Sequence, residues 1–308
     1  VTSRKKRPTV QRAASSKSGS TAAGKPACAR AAAGGVPKGL PYAAIAVVVL
    51  LIGALVIVKA TQKSKAATET RPAPAAVVTQ MTTLPPSAFE TAGAPSGTAN
   101  MTALPAGTPP LTSNGKPEVL YVGAEYCPFC AAERWPLTIA LSRFGSFSNL
   151  GQTESATADV YPNTHTFSFY GSTYTSPYLT FTPVEMETNQ PASGGGYTPL
   201  QALSAEQQRL VQTYGVPPYV RGSGIPFGDL GGRYLISGAS YDPNLLKGRS
   251  MEQIAEQVAD PTTDIGKAVL ASANRYTAAL CQLTNGRPGS VCSSQVIKLA
   301  AASLPKPI

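Results

Sequence analysis

Lys116–Phe144 reads KPEVLYVGAEYCPFCAAERWPLTIALSRF. Val119-Leu120-Tyr121-Val122 is a short apolar run closed by Gly123, the pattern of a buried strand. Cys127-Pro128-Phe129-Cys130 then forms a turn, and Ala131, Ala132, Trp135, Ile139 and Leu141 continue with helical character. Pro136 is expected to kink or break that helix. Two cysteines in one turn at a helix start suit dithiol–disulfide chemistry. The first thiol faces unsatisfied backbone N–H groups and the positive end of the helix dipole, which favours its thiolate. The second is close enough to resolve a mixed disulfide within the same chain.

Charge is distributed unevenly along the 308 residues. Residues 1–40 hold nine Lys/Arg and no acid, which leaves 17 bases against 16 acids in the remainder. The globular part is therefore near neutral, and the basic pI is no argument for nucleic-acid binding. Gly39–Val58 carries no charge in 20 residues, enough as a helix to span roughly 30 Å. The competing reading is a cleaved signal peptide. The long basic leader, Lys59 and the lack of a clear Ala-x-Ala site after the apolar run favour a signal anchor with a cytoplasmic N-terminus.

The expected organisation is a basic disordered cytoplasmic tail (1–40), a transmembrane helix (41–59), a Pro/Thr/Ala-rich tether (60–115) and an extracytoplasmic domain (116–308). Cys28 falls in the tail, whereas Cys127, Cys130, Cys281 and Cys292 fall where disulfides persist. Within the domain, Ser146–Asn163 reads as loop, and Thr166–Tyr170 and Tyr178–Met186 as strands. Gln190–Tyr197 reads as a Gly-rich loop, and Ser204-x-x-Gln207 as a capping box opening a helix to about Tyr214. Ile225-Pro226 leads into a hairpin, Phe227–Leu230 and Arg233–Ser237, turned by Gly231-Gly232. Helices follow at Ser250–Ala259 and Thr263–Cys281, and a short one ends the chain.

A strand, CxxC at a helix start, further strands, an apolar residue plus proline opening a hairpin, then a helix: this order matches the thioredoxin fold, an α/β fold with a central mixed sheet and flanking helices. The match implies a cis bond at Ile225-Pro226 beside the cysteine pair, with the preceding backbone free to pair with a substrate strand. The blocks GKPEVLYVGAEYCPFCAAERWPL, ADVYPNTHTFSFYGSTYTSPYLTFTPVE, GIPFGDLGGRYLISGASY and AALCQLTNGRPGSVC resemble an uncharacterised family of membrane-anchored thioredoxin-like proteins of actinobacteria and archaea. The resemblance covers Lys116 to about Cys292 and implies fold and topology but no settled reaction.

Three readings of Cys127/Cys130 compete: a redox-active dithiol, a static disulfide, and a metal site. The dithiol reading leads. A distant C-x10-C lacks zinc-ligand spacing, and the single histidine, His165, reads as a solvent or packing residue, so neither metal nor cofactor is expected. Cys127 would attack and Cys130 resolve. With Glu125 nearby and Arg134 farther along the helix, the expected couple lies at roughly −200 to −230 mV rather than the roughly −120 mV of a strong oxidant. Glu133 and Arg134 read as a solvated helix face, and Asp229 as a turn residue. Cys281 and Cys292 are expected to form a structural disulfide, the alternative being a second redox pair.

The leading expectation is a membrane-tethered extracytoplasmic thiol–disulfide oxidoreductase acting on protein thiols and disulfides, for instance during assembly of respiratory proteins. The competing one is a non-catalytic docking or scaffold subunit of a membrane respiratory complex.

Overall fold

A computed structural model describes residues 71–95, 100–220 and 224–307. The expected tail (1–40) and membrane span (41–59) lie outside the described residues. Among the described residues, no helix is long and apolar enough to cross a membrane.

The first elements are β1 (Arg71–Pro72), α1 (Ala75–Thr82), α2 (Pro86–Ala92), β2 (Met101–Ala103), β3 (Thr112–Ser113), β4 (Lys116–Gly123) and α3 (Pro128–Ser142). Next come β5 (Ser146–Ser148), β6 (Gly151–Glu154), β7 (His165–Ser168), β8 (Thr173–Thr175), β9 (Thr180–Glu185), β10 (Glu187–Pro191) and β11 (Tyr197–Pro199). The remainder is α4 (Ala205–Tyr214), β12 (Phe227–Leu230), β13 (Tyr234–Ser237), a 3-10 turn (Pro243–Leu246), α5 (Met251–Ala259), α6 (Asp264–Leu283), α7 (Gly289–Cys292) and α8 (Gln295–Ala302). The chain is thus mixed α/β, with a mixed central sheet and flanking helices.

That sheet runs β2-β13-β12-β4, with β9 on the far side of β4. Only β9 is parallel to β4, with Val119 opposite Phe181 and Val122 opposite Val184, and it is reached by a crossover that includes α3. The apolar run of β4 is buried on both faces, which explains its lack of alternation. Val119 and Tyr121 face the main core beside Trp135, Ile254, Val269 and Tyr276. Leu120 and Val122 face a smaller core with Phe227, Leu235 and Val184, against which Leu210, Val211 and Tyr214 of α4 pack. The sheet is therefore sandwiched, with α3 and α6 packed together on one side and α4 on the other.

The hairpin β12–β13 closes where only glycine fits. Gly231 and Gly232 have φ of 65° and 68°, and a Cβ on Gly232 would lie 2.4 Å from the Pro109 carbonyl oxygen. Asp229 Oδ1 accepts the Gly232 N–H at 2.7 Å, the turn role expected of it. The Ser204–Gln207 capping box is present, and its helix ends at Tyr214.

Several expectations are corrected. The stretch read as a tether is folded along its described length: Val77, Met81, Ala88 and Phe89 are buried, and β2 pairs with β13 at Ala103–Tyr234. Ser146–Asn163 contains β5 and β6, and the Gly-rich loop read at 190–197 begins and ends inside the paired strands β10 and β11, where Pro191 lies opposite Tyr197. Pro136 does not break α3, which is continuous from Pro128 to Ser142. A proline there leaves the Ala132 carbonyl without its helical donor, and the Tyr241 hydroxyl donates to that oxygen at 2.8 Å. Thr166 Oγ1 similarly donates to Ala131 O at 2.7 Å. Finally, α3 has no solvated face at Glu133 and Arg134, both of which are fully buried.

Candidate functional site

The register of the sheet assembles the site. Phe227 lies opposite Val122, so the chain entering β12 arrives beside the end of β4, where α3 begins. Cys127 is the N-cap of α3, with extended backbone (φ −79°, ψ 120°), and Pro128 takes the first helical position. The Cys130 backbone N–H donates to Cys127 Sγ at 3.3 Å, so the thiol satisfies a free helix-end donor. The Ile225-Pro226 peptide is cis, as expected, and the Ile225 carbonyl oxygen accepts from Cys127 Sγ at 3.7 Å. Cys127, Cys130, Ile225 and Pro226, separated by about a hundred residues, are thereby gathered at one end of the sheet.

Both sulfurs are unbridged and sheltered, Cys127 at 5 % exposure and Cys130 at 0 %. Their environments push the two thiols apart. Cys127 is held below the ordinary thiol range by a hydrogen bond from the Cys130 thiol, then by the Cys130 N–H and the Arg134 charge, against the opposing effect of burial. Burial pushes Cys130 well above that range. Of the pair, Cys127 is the thiol held toward its thiolate and Cys130 the one held protonated.

Beneath them lies a charged pair that sequence reasoning missed. Arg134 donates through Nε to Glu185 Oε1 at 2.8 Å and through Nη2 to Oε2 at 2.6 Å, with both side chains fully buried. Nη2 also donates to the Ala124 carbonyl at 2.9 Å. The signal available was the spacing: Cys130 and Arg134 are four residues apart on one helix and so share a face. Glu185, at the end of β9, becomes visible only through the parallel pairing with β4. Arg134, read from the sequence as lying farther along the helix than the dithiol, does act on Cys127 and favours its thiolate. Glu125 opposes it less than expected, because burial raises its carboxyl above the usual range against the hydrogen bond that Ser168 Oγ donates to it at 2.7 Å.

The rim is aromatic. Phe129, inside the CxxC turn, is 39 % exposed and meets Tyr161 edge-on with ring centroids 5.9 Å apart. Tyr126 stacks on Tyr197 from β11 at 4.1 Å. His165 lies elsewhere, paired across the β6–β7 ladder with Glu154 at 3.6 Å. Among the described residues, no group of three or more His, Cys, Asp or Glu side chains converges as a metal site. Cys281 and Cys292 are bridged, joining the end of α6 to α7.

Residues 106–282 match the family described as a domain of unknown function, DUF929. That segment is more than half of the chain. The chain belongs to the DUF929 family. No curated protein and no solved structure matches it. The DUF929 segment contains Cys127, Cys130, Ile225, Pro226, Arg134 and Glu185, so the whole buried constellation lies within it. Of the disulfide it includes Cys281 but not Cys292, and α1, α2 and β2 precede it.

Proposed function

We propose that this protein is a membrane-tethered, extracytoplasmic thiol–disulfide oxidoreductase acting on cysteine-bearing exported or membrane proteins. The observation that carries the reading is the asymmetric pair at the start of α3. Cys127 caps the helix and is held toward its thiolate, Cys130 is buried and protonated, and the Ile225 carbonyl lies against the attacking sulfur. The strand order supports a thioredoxin-like fold: β4 and β9 parallel around α3, then the antiparallel hairpin β12–β13, then the long helix α6. The tether and the extracytoplasmic placement rest on the apolar run at 39–58 and the basic residues before it.

In the reaction, the Cys127 thiolate attacks one sulfur of a partner disulfide. A mixed disulfide forms and the partner's other sulfur leaves as a thiolate. Cys130 then loses its proton and attacks Cys127 Sγ, closing the Cys127–Cys130 disulfide, and the partner's second sulfur leaves and is protonated. The partner is reduced by two electrons and the pair oxidised by two; the reverse sequence oxidises a partner dithiol. The Arg134 charge, which favours the Cys127 thiolate, stabilises the reduced pair. The potential is therefore expected to lie above the roughly −200 to −230 mV inferred from the sequence, toward the oxidising side.

The test is to equilibrate the full chain in dithiol buffers of graded potential and follow alkylation of Cys127, then to express Cys130→Ser in the native membrane. The expected outcome is reversible titration, together with mixed disulfides on Cys127 that disappear on reduction. A pair that does not titrate, with partners co-purifying without any Cys127 adduct, would instead establish the scaffold reading.

A further inference from the structure

Under the dithiol, two buried hydrogen-bond donors have no acceptor: the Tyr121 hydroxyl and Arg134 Nη1. Buried polar groups are nearly always paired, because an unmade hydrogen bond leaves the cost of desolvation uncompensated. Two such donors, nine residues before and four residues after one buried thiol, therefore call for an explanation. Packing does not supply one. The ring of Tyr121 meets Phe169 edge-on at 5.2 Å, a contact that needs no hydroxyl.

Position supplies the explanation. The Tyr121 hydroxyl lies over Gly123, so closely that a Cβ there would be 2.3 Å from Oη. The adjoining residue, Ala124, gives its carbonyl to Arg134 Nη2, while its N–H acts on the Cys130 sulfur. Arg134 lies over the Tyr121 ring, its Cζ 5.9 Å from the centroid. Glu185 engages Nε and Nη2 and leaves Nη1 uncommitted. Tyr121 of β4, the Ala124 N–H of the turn after it and Arg134 of α3 thus all act electrostatically on the Cys130 sulfur, which has no exposure to water. In the resting state that sulfur is a neutral thiol and gives these donors no charge to bind.

We propose that Tyr121 Oη–H and Arg134 Nη1–H are donors held ready for the Cys130 thiolate, the anion that exists only while a mixed disulfide on Cys127 is being resolved. This rests on the thiol–disulfide exchange reading and names the groups that carry its second step. Cys130 loses its proton, its thiolate is held by the two donors, and it then attacks Cys127 Sγ. The Cys127–partner bond breaks, the Cys127–Cys130 bond forms, and the leaving sulfur takes up a proton. Tyr121 acts as a donor and not as a base, since burial holds its phenol well above its ordinary range and therefore protonated. Fixed donors aimed at a charge that develops during reaction lower the barrier without reorganising. They also account for the orphaned atoms, which are satisfied in the transient state and not in the ground state.

Ellman's reagent with the full chain in detergent, in a Cys28→Ser background, separates the steps. One thionitrobenzoate is released as Cys127 attacks and a second as Cys130 closes the disulfide. For Tyr121→Phe the first release is expected to be unchanged. The second should slow about tenfold, and its pH midpoint should rise by about one unit, the same loss of thiolate stabilisation read two ways. Thermal stability should be equal or higher, because the variant deletes an unpaired buried group. An unchanged second release, or equal slowing of both releases with lost stability, overturns the proposal and leaves thiol–disulfide exchange standing. A wild-type chain that never gives the second release overturns the exchange reading and this proposal with it.

Discussion

Glu133 and Arg134 are neighbours with opposite surroundings. Arg134 is ion-paired with Glu185, whereas Glu133 accepts hydrogen bonds from the Tyr276 hydroxyl, the Ser240 N–H at 3.0 Å and Asn100 Nδ2 at 3.4 Å. Burial pushes its carboxyl up to about 7, with those hydrogen bonds opposing the rise. Tyr241 and Arg275 also face it electrostatically. A carboxyl that holds its proton more tightly folded than unfolded destabilises the fold as pH rises, because the unfolded chain ionises first. The contribution is fully favourable below about pH 4.5 and is lost as pH climbs through about 7, amounting to roughly 3 kcal/mol for such a shift. Denaturant unfolding of wild type and Glu133→Gln at pH 4.5 and 7.5 is expected to show wild type losing stability relative to the variant as pH rises. A difference that stays constant across that range rules the linkage out. None of this is legible from residues 133–134 alone, where a charged pair in a helix suggests solvent. The warning was the flanking sequence: apolar residues on every side of α3 leave no solvent face for a charge to occupy.

At the scale of elements, local chemistry was legible and long-range compensation was not. The Ser204–Gln207 box, the Gly231-Gly232 turn and the helices after Ser250 and Thr263 are written in adjacent residues, and the chain forms them where they were expected. Strands β5, β6, β8, β10 and β11 are short and rich in Ser, Thr, Asn and Gln, so they lack the apolar alternation that identifies a strand. Pro136 was misread because its remedy, Tyr241, lies 109 residues beyond the Ala132 carbonyl it serves, between β13 and the 3-10 turn. Tyr241→Phe should therefore cost about 1–3 kcal/mol, as a buried carbonyl loses its donor. In a Pro136→Ala background, where the backbone N–H returns, the same substitution should cost much less. Equal costs in the double-mutant cycle would show that the hydroxyl contributes elsewhere. Opening the Cys281–Cys292 bridge with Cys281→Ser and Cys292→Ser together is expected to cost roughly 3 kcal/mol on the chain-entropy view, measured by urea unfolding. Cys127 alkylation should be unaffected, since that bridge ties α6 to α7 and not to the dithiol turn.

For the whole molecule, the order of elements was readable, but the beginning of the folded body was not. Met101-Thr102-Ala103 is too short a run to declare itself a strand, and the helices at 75–92 sit in a Pro- and Thr-rich composition that suggests linker. Their roles depend on partners far along the chain: α1 packs on α5, α2 on α6, and β2 on β13. The sheet's edge strand β9 carries Pro183, which cannot donate to an incoming strand, whereas the edge at β13 is covered only by β2. A fragment beginning at Lys116 would uncover that edge and the apolar surface under Val77, Met81 and Phe89. It is expected to aggregate or to lose cooperative unfolding, whereas one beginning at Arg71 should unfold cooperatively. A soluble, cooperative 116–308 fragment, assayed by gel filtration and thermal melting, would contradict this.

Folding of the chain from Arg71 onward also sets a working distance. Had the linker run to residue 115, about 56 residues could stretch to roughly 200 Å at about 3.6 Å each. With folded elements already present from Arg71, at most residues 60–70 are left to separate them from the proposed span, and the full extension of that segment is roughly 40 Å. On the proposed topology, that bound is about a fifth of the reach that a linker running to residue 115 would have had.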